Sequence, residues 1–233
     1  ETNTFYVSKN AAPRAVYEKM LTGTFRKTMI SNLFKGSGGF YDRPEGELDV
    51  LIVDEAHRLN AKSGLFNHLG ENQVKELIHA AKTTVFFIDE DQRVTLKDIG
   101  TVEEIRKWAD LQGAAVEELE LPSQFRCSGS DGYLAWVDNT LQIRETANVA
   151  INDVGYDFQL FSSPVELQRA IAKKNTKTSK ARLVAGYCWE WKSKKDPGAW
   201  DIELPEFDFQ MKWNMESKAG PWLLRPDSLD EIG

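Results

Sequence analysis

The chain has 233 residues, 41% of them apolar and 28% charged, with a formal net charge of −7. That size and composition provide for one large α/β domain or two smaller lobes with real cores, and they exclude a disordered chain. No apolar run approaches the ~20 residues of a membrane span, no basic-then-apolar signal opens the chain, and the acidic balance speaks against coating nucleic acid by bulk electrostatics.

The first expected element is a strand over residues 3–8, with Thr4 to Val7 at its centre, followed by a helix over 11–21. Gly36-Ser-Gly-Gly39 is the only glycine cluster. It lacks the lysine and hydroxyl that a phosphate loop places after its last glycine, so it reads as a loop between helix and strand. Next comes Asp49-Val-Leu-Ile-Val-Asp-Glu-Ala-His57. Its apolar residues predict a buried parallel strand over 48–53 that carries two carboxylates out of its C-terminal end, where ligands of open α/β sheets bind. In a nucleotide-hydrolysing site Asp54 would hold Mg²⁺, through water, and Glu55 would orient or deprotonate the attacking water. The plainer alternative is a core strand followed by an acidic first helical turn, which the helix dipole favours in any case.

Residues 67–82 carry Leu69, Val74, Leu77, Ile78 and Ala81 near helical spacing, and Thr83-Thr-Val-Phe-Phe-Ile88 is β-branched and aromatic. The unit therefore reads strand, helix, strand, with both strands parallel and their C-termini on one edge. That edge then also receives Asp89 and Gln92, and Gln92 can approach the same γ-phosphate or water as Glu55. A helix over 101–111 and a strand over 115–121 complete a lobe of residues 1–121. Arg126, just past that last strand, is a candidate phosphate clamp, because guanidinium offers a fork of donors to developing negative charge. Alone it would read as a surface salt-bridge arginine.

Residues 122–233 read as a second, partial lobe. A turn over 124–131 leads into a helix with Tyr133, Leu134, Trp136, Val137 and Leu141; strands at 156–161 and 181–187 flank a helix at 164–173, and residues 201–204 and 209–213 alternate as a hairpin. From Lys173 to Lys195 eight basic residues face Glu190 alone, a local +7 that leaves −14 on the remainder. Such asymmetry, with Lys192 and Lys194 in it, fits a strip that contacts a phosphate backbone, although residues 173–180 have the composition of a solvated loop. Five of the seven tryptophans lie in the last 45 residues; they suit base stacking and, more commonly, a small β-rich core. Cys127 and Cys188 lack metal-ligand spacing, which makes a reduced, cytoplasmic setting the expectation. His57, His68 and His79 have no ligand partners beside them that would point to a metal.

Asp54-Glu55-Ala-His57, then Asp89-x-x-Gln92, then Gln124-Phe-Arg126 resemble motifs II, III and IV of superfamily 1 helicases, and Asn10-Ala-Ala after the first strand is similar to the Ia region. A narrower resemblance is to the uncharacterised bacterial DNA/RNA helicase domain family related to the C-terminal helicase-like part of Schlafen proteins. It rests on Leu121 to Asp131, Trp136-Val-Asp138 and Ala185 to Trp191. The resemblance implies a RecA-like, three-layer P-loop NTPase lobe followed by a partial second lobe, with ATP and Mg²⁺ as cofactors and DNA or RNA as partner. It implies nucleotide-site roles for Asp54, Glu55, Asp89, Gln92 and Arg126, coupling of that site to the rest of the protein through His57, and nucleic-acid contact at Ser8 and Asn10. Two departures stand out: motif III begins Ile88-Asp89 where the superfamily has Gly-Asp, and the sequence holds no Gly-Lys-Ser/Thr loop and no motifs V and VI. Together with the start at Glu1, this leads to the expectation of a core segment whose parent hydrolyses ATP while the segment alone is inactive.

Three functional readings follow. The first is the core of an ATP-dependent helicase or translocase. The second is a nucleotide-dependent regulatory or defence switch that does not unwind. The third is a metal nuclease built from Asp54, Glu55, Asp89 and Asp91, ranked last because no lysine or histidine stands at a recognisable catalytic spacing.

Overall fold

A computed structural model describes residues 2–64, 66, 68–93, 95–121, 131–151, 156–178, 180–186, 188–214, 222–225 and 228–233. The chain forms two compact units, Glu1–Asp157 and Phe158–Gly233.

In the first unit, β1 (Thr4–Ser8), β2 (Phe34–Lys35), β3 (Leu48–Asp54) and β4 (Ala81–Phe86) form one sheet in the order β2-β1-β3-β4. Every pairing is parallel: Tyr6 lies opposite Phe34 and Ile52, and Ile52 lies opposite Val85. Interior parallel strands are buried on both sides and want apolar, β-branched residues, which Val50-Leu-Ile-Val53 supplies. The helices α1 (Ala11–Leu21), α2 (Lys27–Leu33), α3 (Gln73–Ala80), α4 (Val102–Leu111) and α5 (Asp131–Thr140) complete the unit. Val7, Leu48, Leu51, Val53, Val74, Leu77 and Ala80 are buried in one core, with Ile105 and Trp108 of α4 packed against it. An aromatic trio, Tyr6, Tyr17 and Phe34, joins β1 and β2 to α1. At the outer strand Val85 and Phe87 remain 41% and 44% exposed.

Boundaries differ from the sequence expectations for local reasons. The helix expected over 67–82 is confined to Gln73–Ala80, because the Asn72 side chain accepts from the Val74 and Lys75 amides and so starts it late. The strand expected at 83–88 begins directly at Ala81. Residues 115–121 form no strand among the described residues.

The second unit contains α6 (Pro164–Thr178) and a mixed sheet of β5 (Ile202–Leu204), β6 (Phe209–Trp213) and β7 (Glu231–Ile232). The first two form the antiparallel hairpin expected from alternation, and β7 joins β6 in parallel. Leu183, Ile202, Phe209, Met211, Trp213 and Ile232 make its core. Beneath them Asp201, 1% exposed, accepts from the Ser193 amide and hydroxyl and from the Trp213 amide. Burial opposes charge on Asp201, yet these donors hold its carboxyl below the usual range. The strand expected at 156–161 is not formed among the described residues, and residues 181–186 instead exchange main-chain bonds with Gly233 through Leu183 and Ala185. Tyr187 lies outside the described residues. The architecture is α/β: an all-parallel, RecA-like sheet flanked by helices, and a smaller mixed sheet.

Candidate active site

Parallel pairing brings the C-terminal ends of β1, β3 and β4 to one edge, and most of the residues singled out in the sequence gather there. Asp54 ends β3. Its Oδ2 accepts a 2.5 Å hydrogen bond from the Tyr6 hydroxyl, and its Oδ1 accepts from the Glu55 amide at 3.0 Å. Burial, then the Asp54 carboxylate, pushes the Tyr6 phenol well above its ordinary range, so the hydroxyl keeps its proton and donates. Glu55 adopts left-handed backbone angles, φ 55° and ψ 44°, a region that residues with a Cβ enter at a cost.

That turn aims the Glu55 carboxylate at the ring of His57, Oε2 to Nε2 at 3.0 Å. His57 is buried, and its Nδ1 faces the Asp89 amide at 3.4 Å. An acceptor at Nδ1 leaves the ring proton on Nε2, directed at Glu55. Asp89 in turn accepts from the Asp91 amide and, at 2.7 Å, from the Gln92 side-chain amide. Glu55, His57, Asp89 and Gln92 thus form a continuous chain across the ends of two neighbouring strands. Phe87 extends the ladder beneath it, donating to Val53 O and accepting from the Ala56 amide. Gly100 closes against the same turn: a Cβ there would stand 1.8 Å from the Ala56 carbonyl oxygen, so only glycine fits.

A second polar node on this edge was not apparent from the sequence. Asp98, 1% exposed, takes Lys9 Nζ at 3.3 Å, Arg58 Nε at 3.3 Å and the Thr95 amide at 3.0 Å. Burial works against its charge, but the Thr95 amide, Lys9 and Arg58 together hold its carboxyl below the ordinary range. Lys9 also donates to Asn60, so the loops after β1, β3 and β4 are tied together. Ser8 is buried, and Asn10 is exposed immediately ahead of α1. The only sequence signal for Tyr6 is a hydroxyl in an apolar strand, which names no partner, and Asp98 in its loop carries none.

Of the remaining candidates, Lys192 and Lys194 belong to the second unit. Lys192 pairs with Glu203 at 3.1 Å, and Lys194 stands over the Trp191 ring, on either side of the anchored Ser193 in the second unit. Arg126, with Gln124 and the rest of its turn, lies outside the described residues. No group of three or more His, Cys, Asp or Glu side chains able to hold a metal occurs among the described residues. A divalent cation here would rest on Asp54 together with phosphate oxygens and water, a donor set that suits Mg²⁺.

A parallel sheet whose C-terminal edge gathers carboxylates, an imidazole and a carboxamide belongs with the α/β proteins that bind ligands at strand ends. More narrowly, the chain belongs to the family described as Schlafen group 3, DNA/RNA helicase domain, which it matches over residues 1–233. No curated protein and no solved structure matches it. No helix among the described residues is long and apolar enough to cross a membrane.

Proposed function

We propose that this helicase-like domain supplies the hydrolytic wall of an ATP site in an ATP-dependent DNA/RNA helicase or translocase. The observation that carries the reading is the chain from Glu55 through His57 and Asp89 to Gln92. In this reading Asp54 would hold Mg²⁺ through water, and the ion would supply positive charge against the phosphates. Glu55 takes the proton of the attacking water, His57 fixes the Glu55 carboxylate, and Gln92 orients the water or the γ-phosphate. Arg126 is proposed to clamp the developing charge, and Ser8, Asn10, Lys192 and Lys194 to serve the polynucleotide.

The sequence holds no Gly-Lys-Ser/Thr loop, so the triphosphate grip is proposed to come from a segment outside residues 1–233. The outer side of β4 suits its arrival, because β1 fills the other side of β3 and β4 stands at the end of the sheet. A reduced, cytoplasmic setting is part of the proposal, and Cys188 is an exposed free thiol.

The test is ATP turnover by a protein that joins these residues to a Gly-Lys-Ser/Thr loop. Glu55→Gln is expected to lower kcat by roughly 100-fold or more while ATP binding persists; undiminished turnover would remove Glu55 from the chemistry. Residues 1–233 alone are expected to turn over no ATP. Turnover indifferent to DNA and RNA would favour a nucleotide-driven switch instead. The nuclease reading gains no support, since Asp54, Glu55, Asp89 and Asp91 form no metal-holding group.

A further inference from the structure

The hairpin of α1 and α2 leaves an apolar face uncovered. Residues 22–26 join the two helices, and the turn closes through bonds from the Thr24 and Phe25 amides to the Leu21 carbonyl oxygen. Of the seven residues of α2 only Ile30 is buried. So short a helix cannot hold itself together by propensity and draws its stability from the apolar face it packs, yet Met29 and Leu33 on that face remain in solvent. With Leu21, Phe25 and Ile30 they line an open hollow of about 180 Å³. Met20, Met29 and Phe25 are 68%, 58% and 50% exposed.

The charge around this hollow has one sign. From Lys9 to Lys35 there are six basic residues and one acid, Glu18, in a chain whose net charge is −7. Lys9, Arg14 and Lys35 are engaged by Asp98, the Ser8 carbonyl oxygen and the Ser31 carbonyl oxygen. Lys19, Arg26 and Lys27 are exposed and have no ion pair among the described residues. Arg26 precedes the row Met29, Ile30 and Leu33 by one helical turn, so a cation heads the apolar stripe.

We propose that this face docks an acidic amphipathic helix of a partner protein. Apolar side chains of that helix at i, i+3, i+4 and i+7 fill the hollow, and carboxylates on its flanks meet Lys19, Arg26 and Lys27. The lining favours a protein over a nucleic-acid strand. Single strands stack their bases on aromatic faces, whereas here four aliphatic or thioether side chains surround one phenyl ring. Methionine, unbranched and adaptable, suits a surface that receives apolar side chains. The proposal goes beyond the ATP-site reading and does not depend on it.

The test uses the full-length protein and a fluorescent peptide of about 18 residues, long enough to be helical by itself, with Leu at those spacings and Glu on the flanks. A second peptide carries Lys for every Glu. By fluorescence anisotropy the acidic peptide is expected to bind, more weakly as salt rises, and the lysine peptide is not. In the double variant Arg26→Glu, Lys27→Glu the acidic peptide is expected to lose about tenfold or more in affinity and the lysine peptide to gain, with the circular dichroism spectrum unchanged. Isotope-labelled methionine methyl groups give the location: Met20 and Met29 are expected to shift on adding the acidic peptide, and the buried Met211 to hold its position. Absence of binding, equal binding of both peptides, affinity that survives the charge reversal, or a shift at Met211 alone overturns the proposal. A single-stranded oligonucleotide that binds more tightly than the acidic peptide and shifts the same two methyl groups also overturns it and gives the face to a polynucleotide. Should the double variant not fold, the peptide pair and the methyl shifts in the wild-type protein decide the question.

Discussion

Asp98 does the work of a fastener among residues that would otherwise repel. Lys9, Arg58 and Arg93 come from the ends of three different strands, and Asp98 answers the first two with its carboxylate and the third with its carbonyl oxygen. Its carboxyl is held below the ordinary range, so its contribution is complete above the unfolded value of about 3.9 and disappears as pH falls through the lower, folded value. Asp98→Asn is therefore expected to cost about 1–3 kcal/mol near neutral pH and progressively less in acid. Thermal midpoints of the two proteins measured from neutral pH down to pH ~3 check this, since the gap between them should narrow below the unfolded carboxylate value. A gap that stays constant across that range would show that the loss is one of packing alone. The same residue marks a limit of reading from sequence: Asp54 and Glu55 announce themselves by ending an apolar strand, whereas Asp98 sits in a loop and becomes central only when three loops meet.

Among the elements, legibility followed the source of each one's stability. The strand at Val50 to Val53 needs burial on both faces, and its apolar run states that need in one dimension. Residues 115–121 also carry apolar side chains at Val116, Leu119 and Leu121, but a strand exists only where another strand pairs with it, and these side chains stand exposed. The helix α1 matches its expected bounds, Ala11–Leu21. By contrast α3 is shorter than its apolar spacing suggests, since hydrogen bonds from Asn72 set its start and the strand at Ala81 sets its end. Apolar periodicity says which face is buried; capping and the next element's start say where the helix stops. Within the site, the strand-end order of Asp54, Glu55, Asp89 and Gln92 was legible. The links that join them were not, because His57 Nε2 to Glu55 and Nδ1 to the Asp89 amide depend on a backbone turn that no residue pattern specifies.

For the whole molecule, the decisive fact is that each hydrophobic core is drawn from its own unit: one from residues 5–108 and the other from 165–232. Cores that share no residues are expected to open as separate cooperative units. Asp201→Ala strips the Ser193 and Trp213 amides of a buried acceptor, which costs about 2–4 kcal/mol. The expected outcome is faster amide hydrogen exchange through β5, β6 and β7 while β1, β3 and β4 exchange as before. Acceleration of equal size in both sheets would mean that the chain opens as one body.

Glu55 carries a further consequence, in the currency of natural selection instead of chemistry. Left-handed backbone angles cost a residue with a Cβ about 1–2 kcal/mol, and glycine escapes that penalty. At φ 55° the backbone alone would favour a glycine, so the Glu55 side chain is kept there against a backbone cost. Comparing Glu55→Gly with Glu55→Ala isolates the effect, because both lose the carboxylate. The glycine variant is expected to be the more stable by about 1 kcal/mol, and an alanine variant of equal or greater stability would mean that the position pays no such toll.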